Sequence, residues 1–211
     1  STQVAAFAPT QITALTTTQL QSFNSANIAA LTTKQASALT SAQVATLSSA
    51  ELNTFDSSEI QALTPAALAG MTTDAVAGLS TAALTALTAT QVATLSTTQI
   101  ASLQSAQVRE LTTDQVKALT AKQVAAITTA SIANLKSEQV VALSNAQLVA
   151  LSTTQLQAFA SGNIAALTTS QAGALTSAQV ATLDSAELNS FSTAEIAAIN
   201  VAALAGISST T

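Results

Sequence analysis

The segment LTTKQASALTSAQVATLSSAEL, residues 31–52, repeats one instruction every eight residues. A hydroxyl residue (Thr32, Thr40, Ser48) is followed three positions later by Gln or Glu (Gln35, Gln43, Glu51), and each unit closes on a large apolar residue (Leu39, Leu47, Phe55). From Ala8 to Ile207 the chain divides into such octads without insertion or deletion, and residues 1–7 supply one more that lacks its first position, making 26. With the hydroxyl residue as position one, position eight is large and apolar in all 26 octads. Position five is Val, Ile or Leu in 24, the exceptions being Ala36 and Ala172, and position four is Gln or Glu in 19. Position one is Ser, Thr, Asn or Asp in 21 of the 25 octads that have it.

That spacing is a helix-start signal. A Ser or Thr three residues before Gln or Glu forms a capping box, in which each side chain accepts a backbone N–H of the other residue. Thr32 with Gln35, Thr40 with Gln43, Thr112 with Gln115 and Thr168 with Gln171 are the clearest pairs. Pro occurs only at position two, as Pro9 and Pro65, where a first helical residue has no use for its N–H. One unbroken helix is excluded by geometry: eight residues turn an ideal helix about 80° past two full turns, so the apolar stripe would wind around the rod. Strands fit no better, because apolar positions five and eight break the alternation of two and Ala is poor in strands.

The expected fold is therefore all-α: a solenoid or superhelix of short capped helices, one per 8-residue repeat. A helix so short is unstable alone in water, so stacking must bury positions five and eight in a shared core. Leu15, Leu31, Leu47, Leu63, Leu95, Leu119, Leu143, Leu167 and Leu183 are predicted core residues. The small residues at position seven predict close backbone approach. Positions two, three and six, which hold most of the Lys, Arg, Asp and Gln variation, are expected to face water.

A longer period lies on top. Residues 17–71 match residues 153–207 at 40 of 55 positions, an offset of 136 residues or 17 octads. Even Ala36 recurs as Ala172, and Phe23 and Phe55 as Phe159 and Phe191. Seventeen is prime, so coils of two or three octads would fall out of phase with the long repeat. We expect residues 1–211 to form a single continuous array in which each octad is its own geometric unit, an excerpt of a longer array.

Composition narrows the function. Charged residues make up 7% of the 211 and the net charge is −5, so nothing attracts the chain to nucleic acid or an anionic membrane. No run of about 18 apolar residues marks a membrane span. There is no His and no Cys, and no base is placed to activate the many hydroxyls. No catalysis and no cofactor is expected; Lys34, Lys117, Lys122 and Lys136 read as solvated surface. Asp56 with Glu59 and Asp184 with Glu187 read as acidic capping boxes, since calcium needs six to eight oxygens from a dedicated loop. The mixed charges from Arg109 to Glu138 read as a solvated face.

Two resemblances bear on function. LKSEQVVAL at 135–143 resembles the opening helix of the DNA-reading repeats of transcription activator-like effectors. Those repeats continue into a base-reading loop and a second helix, whereas here SNAQLVAL starts the octad again, so no DNA reading follows. More broadly, tandem octads such as LTTDQVKALTAKQVAAI at 111–127 resemble repeat regions of very large bacterial surface and secreted proteins of adhesin-like type. That resemblance covers the whole chain and implies an extracellular stalk or spacer, with other surface proteins or further copies as partners. Two alternatives are a self-assembling subunit of an extracellular filament or surface layer, and ice binding by rows of Thr such as Thr32/Thr33, Thr72/Thr73 and Thr112/Thr113.

Overall fold

A computed structural model describes residues 2–204. Among them are 26 α-helices, one per octad from Thr2–Ala5 to Val201–Leu204, and no strand. The helices are four to six residues long. Those after the first start at position two, and the position-one residue in front of the helix has extended backbone; Thr112 has φ −69° and ψ 157°. The longer ones stop when position eight turns extended in its own right, as at Leu119 with φ −58° and ψ 139°. Two consecutive extended residues thus separate helix from helix. No described residue has positive φ, so the bends use no left-handed glycine.

Each helix packs against the third one after it: Ala89–Thr94 on Thr113–Ala118, and Ala121–Ala126 on Asn145–Ala150. Hydrogen bonds between coils span 25 to 31 residues. The chain therefore winds as a superhelix with between three and four octads per turn. Coils of two or three octads are absent, and successive octads step around the axis instead of stacking in columns.

Positions five and eight form one continuous apolar core. Leu31, Leu47, Leu63, Leu95, Leu119, Leu143, Leu167 and Leu183 are all buried in it. Ala36 and Ala172, the small residues at position five, are fully buried as well. Leu15 departs from the expectation: it is only half-buried at the edge of the core. The reason lies in the direction of the side chains. In the first turn, position eight is the open one (Phe7, Leu15, Phe23) while Val4, Ile12 and Leu20 at position five are buried; in the last described turn the order reverses, with Ile196 and Leu204 exposed and Phe191 and Ile199 buried. Position eight thus faces the preceding coil and position five the following one. Full burial of such a side chain stabilises by about 1.5–3 kcal/mol, which is what a helix of four residues needs from its neighbours.

Small residues at position seven do bring coils together. A Cβ on Gly70 would collide with the backbone oxygen of Ser41, and one on Gly78 with the side chain of Ser49. No described helix is long and apolar enough to cross a membrane.

Candidate functional site

The predicted capping pairs all close their boxes. The Thr32 N–H donates to Gln35 Oε1 at 2.8 Å and the Gln35 N–H to Thr32 Oγ1 at 3.4 Å. The corresponding distances are 2.9 and 3.3 Å for Thr40 and Gln43, 2.9 and 3.1 Å for Thr112 and Gln115, and 2.9 and 3.2 Å for Thr168 and Gln171. The position-one hydroxyls of Thr32, Thr72 and Thr112 are therefore engaged on their own helices, which removes half of each Thr pair from any free hydroxyl array.

The other end of the glutamine amide does something the octad alone does not announce. Gln35 Nε2 donates to the carbonyls of Val4 and Phe7, both at 2.8 Å, one coil back. Gln43 reaches Ile12 and Leu15 at 2.7 and 2.8 Å, Gln115 reaches Leu84 and Leu87 at 2.9 and 2.7 Å, and Gln171 reaches Val140 and Leu143, both at 2.8 Å. The acceptors here are positions five and eight of the octad four earlier. Gln91, Gln99, Gln107, Gln123, Gln139, Gln147 and Gln179 repeat the pattern. Gln155 shifts slightly, to Ala125 and Ile127. All twelve of these glutamines are buried.

A primary amide suits this post because one branch only accepts and the other only donates. Its oxygen holds the helix start and its nitrogen ties the coil to the one before. Where position one cannot cap, the amide still serves: the Gln104 N–H donates to Gln107 Oε1 at 2.7 Å, and the Lys136 N–H to Gln139 Oε1 at 2.8 Å. Capping alone does not explain the residue choice. Glu caps as well and suits the positive end of a helix better, yet position four holds 15 Gln and only four Glu. That bias is the signal in the sequence for a required donor.

The ladder has breaks. Asn163, one methylene shorter, reaches only Leu135, at 2.8 Å, and Ser131 touches Leu103 at 3.3 Å. Five successive octads, with Glu51, Glu59, Ala67, Ala75 and Ala83 at position four, have no amide there at all. At Ala83 the preceding coil compensates: the Ser80 N–H donates to Asn53 Oδ1 at 2.8 Å, and Asn53 Nδ2 donates to the Gly78 carbonyl at 3.0 Å. The run recurs 136 residues later as Glu187, Glu195 and Ala203. Shallow clefts open at the breaks, about 400 Å³ beside Ser131 and about 220 Å³ beside Ala83.

The four acidic residues keep the box. Glu51 Oε2 accepts the Ser48 N–H at 2.8 Å, and Glu59 Oε2 the Asp56 N–H at 2.9 Å. The Asp56–Glu59 and Asp184–Glu187 pairs are thus reciprocal caps. Among the described residues no group of three or more His, Cys, Asp or Glu could hold a metal ion. Burial pushes the Glu59 carboxyl above its usual range; the Asp56 backbone N–H pulls it down and the Asp56 charge pushes it up by smaller amounts. Lys34 is exposed, as are Arg109, Lys117 and Lys122 in the charge-rich segment. Lys136 instead reaches Glu110 on the preceding coil at 3.3 Å.

The family model of the ALTTAQ repeat matches residues 17–49, 97–129, 122–153, 132–169 and 149–185, more than half of the chain. The chain belongs to the ALTTAQ repeat family. The repeat's name spells positions seven to four across an octad boundary, as in ALTTKQ at 30–35 and ALTTSQ at 166–171. The ALTTAQ matches leave out residues 50–96 and those after 185, where the acidic and alanine octads fall. The motif's last letter is the ladder residue. No curated protein shows significant similarity to this ALTTAQ-repeat chain.

Proposed function

We propose that this repeat protein is a non-enzymatic spacer on the outside of a bacterial cell, the stalk of an adhesin-like surface protein. Membership of a tandem-repeat family supports a structural role. The observation that carries the reading is the ladder: the buried polar side chain that recurs most often is spent on joining coil to coil. Such a design sets a length. Adding octads extends the rod without changing any contact type, because every octad meets the same neighbours three and four units away. In this reading its partners are other surface proteins or further copies of itself, and no reaction or cofactor is involved.

Small-angle scattering tests the mechanical part. The longest dimension of the chain should fall in proportion to the number of whole octads removed, and a dimension that does not change would overturn the spacer. Immunogold labelling of intact cells tests the location: surface label is expected, and label confined to the cytoplasm would refute it. Electron microscopy of the purified chain should show discrete short rods; long regular fibres would replace the spacer by a filament subunit.

A further inference from the structure

The acidic octads break the ladder by replacing the amide with a carboxylate. In twelve octads the nitrogen branch of a position-four glutamine donates to the preceding coil. Glu51, Glu59, Glu187 and Glu195 hold the same cap with one oxygen, at 2.7 to 2.9 Å. Their second oxygen stands on the branch that carries the donor in Gln. Ionised, it has no proton to give to the coil before. The matching carbonyls, by the spacing of 31 and 28 residues seen for Gln, belong to Leu20 and Phe23, Ile28 and Leu31, Leu156 and Phe159, and Ile164 and Leu167.

We propose that these four glutamates make two acid-strengthened seams: on protonation each becomes a donor to one carbonyl of the preceding coil and completes the ladder. The raised affinity of Glu59 for its proton agrees with this. Because the folded state holds that proton more tightly than the unfolded chain, stability is gained as pH falls through the folded value and lost as pH rises through it.

Few other charges face these carboxyls. Glu59 lies on Ser57–Ala62, packed against Thr33–Ala36, which brings Lys34, and Thr81–Ala86, which brings none. Glu51 lies on Ser49–Leu52, packed against Ser25–Ile28, without charge, and Thr73–Ala77, with Asp74. Glu187 and Glu195 lie on helices packed against Ser161–Ile164 and Thr169–Ala174, both without charge. Asp56 and Asp184 cap the helices of Glu59 and Glu187.

The test is the melting temperature of the whole chain at pH 7 and pH 5, by calorimetry. The wild type should melt higher at pH 5 by at least about 2–4 °C. The variant Glu51→Gln, Glu59→Gln, Glu187→Gln, Glu195→Gln should be flat between the two and at pH 7 no less stable than the wild type. General loss of negative charge is controlled by Asp114→Asn, Glu138→Gln, two exposed carboxylates outside position four and on helices that do not pack against the four glutamates; this variant should keep the wild-type rise. A wild type that does not rise overturns the proposal. So does a four-glutamine variant that rises as much, or a control that loses the rise. Carboxyl carbon NMR supplies a second reading: the Glu59 midpoint should lie above the ordinary glutamate range, and an ordinary midpoint would count against the seams.

Discussion

Gln115 and Leu87 stand 28 residues apart and are joined by a 2.7 Å hydrogen bond from the glutamine Nε2 to the leucine carbonyl. The same amide holds Leu84 at 2.9 Å and, through its oxygen, the N–H of Thr112 at 2.9 Å. Gln115→Ala removes all three contacts at a buried position. Each stranded buried polar group costs about 1–3 kcal/mol, so a loss of about 2–4 kcal/mol is expected. Urea unfolding followed by circular dichroism measures it. Gln115→Glu keeps the cap but sets a carboxylate oxygen toward the Leu84 and Leu87 carbonyls at a buried position; it should be less stable than the wild type at pH 7. If Gln115→Ala unfolds with the wild type, the ladder contributes nothing.

Two glycines should respond in opposite directions to the same methyl group. Gly70 lies against the preceding coil, where an added Cβ meets the Ser41 backbone oxygen, which cannot swing aside. Gly70→Ala should destabilise by about 1–3 kcal/mol, the usual cost of overpacking. Gly162 is exposed on the helix Ser161–Ile164, and a Cβ there meets nothing within 4 Å. Gly162→Ala should stabilise by about 0.4–1 kcal/mol through the unfolded chain and helix propensity. Thermal melts of the two variants, compared with the wild type, check both signs.

The contrast between local and distant partners explains what could be read from the chain. Thr112 and Gln115 are three residues apart, so their box follows from one octad. The core at Leu119 and Val116 follows equally from periodicity, because both residues lie on one side of a single turn and a half. The bond from Gln115 to Leu87 depends on the length of a superhelical turn. That length is set by how helices three units apart pack, and no single octad contains it. Leu15 is only half-buried for the same reason: its burial depends on which coil position eight faces. The preference for Gln over Glu at position four was the only local trace of the distant contact.

Leu119 and Lys117 sit on one octad with opposite fates. Leu119 is 4% exposed, packed toward the preceding coil, whereas the Lys117 side chain is 61% exposed with a loose 3.7 Å pairing to Asp114. Leu119→Asp places a carboxylate in the apolar core without a partner, and the penalty is several kcal/mol. Because the core is continuous, the adjoining octads lose their support too, and helical ellipticity should fall. Lys117→Ala should change stability by less than about 0.5 kcal/mol. Circular dichroism at neutral pH distinguishes them; equal spectra and equal melts would contradict the assignment of position eight to the core.

Deleting more chain should do less harm than deleting less. Removal of residues 112–119 takes out one octad and leaves every later unit with a neighbour four back. Gln123, now bonded to Val92 and Leu95, would meet Leu84 and Leu87, and Gln147, now bonded to Val116 and Leu119, would meet Val108 and Leu111. The acceptors are the same backbone groups at the same positions. Removal of residues 112–115 spares Val116 and Leu119 but takes their cap and their ladder donor. It also shortens the path between Gln123 and Leu95 from 28 residues by half an octad, so ladder donors beyond the cut face the wrong carbonyls. The octad deletion should keep the helical signal per residue and melt close to the wild type; the half-octad deletion should lose signal and melt lower. The ladder ties each octad to the one four back, so the damage should extend over the four octads that follow the cut, which hydrogen exchange of residues 120–151 would show as lost protection.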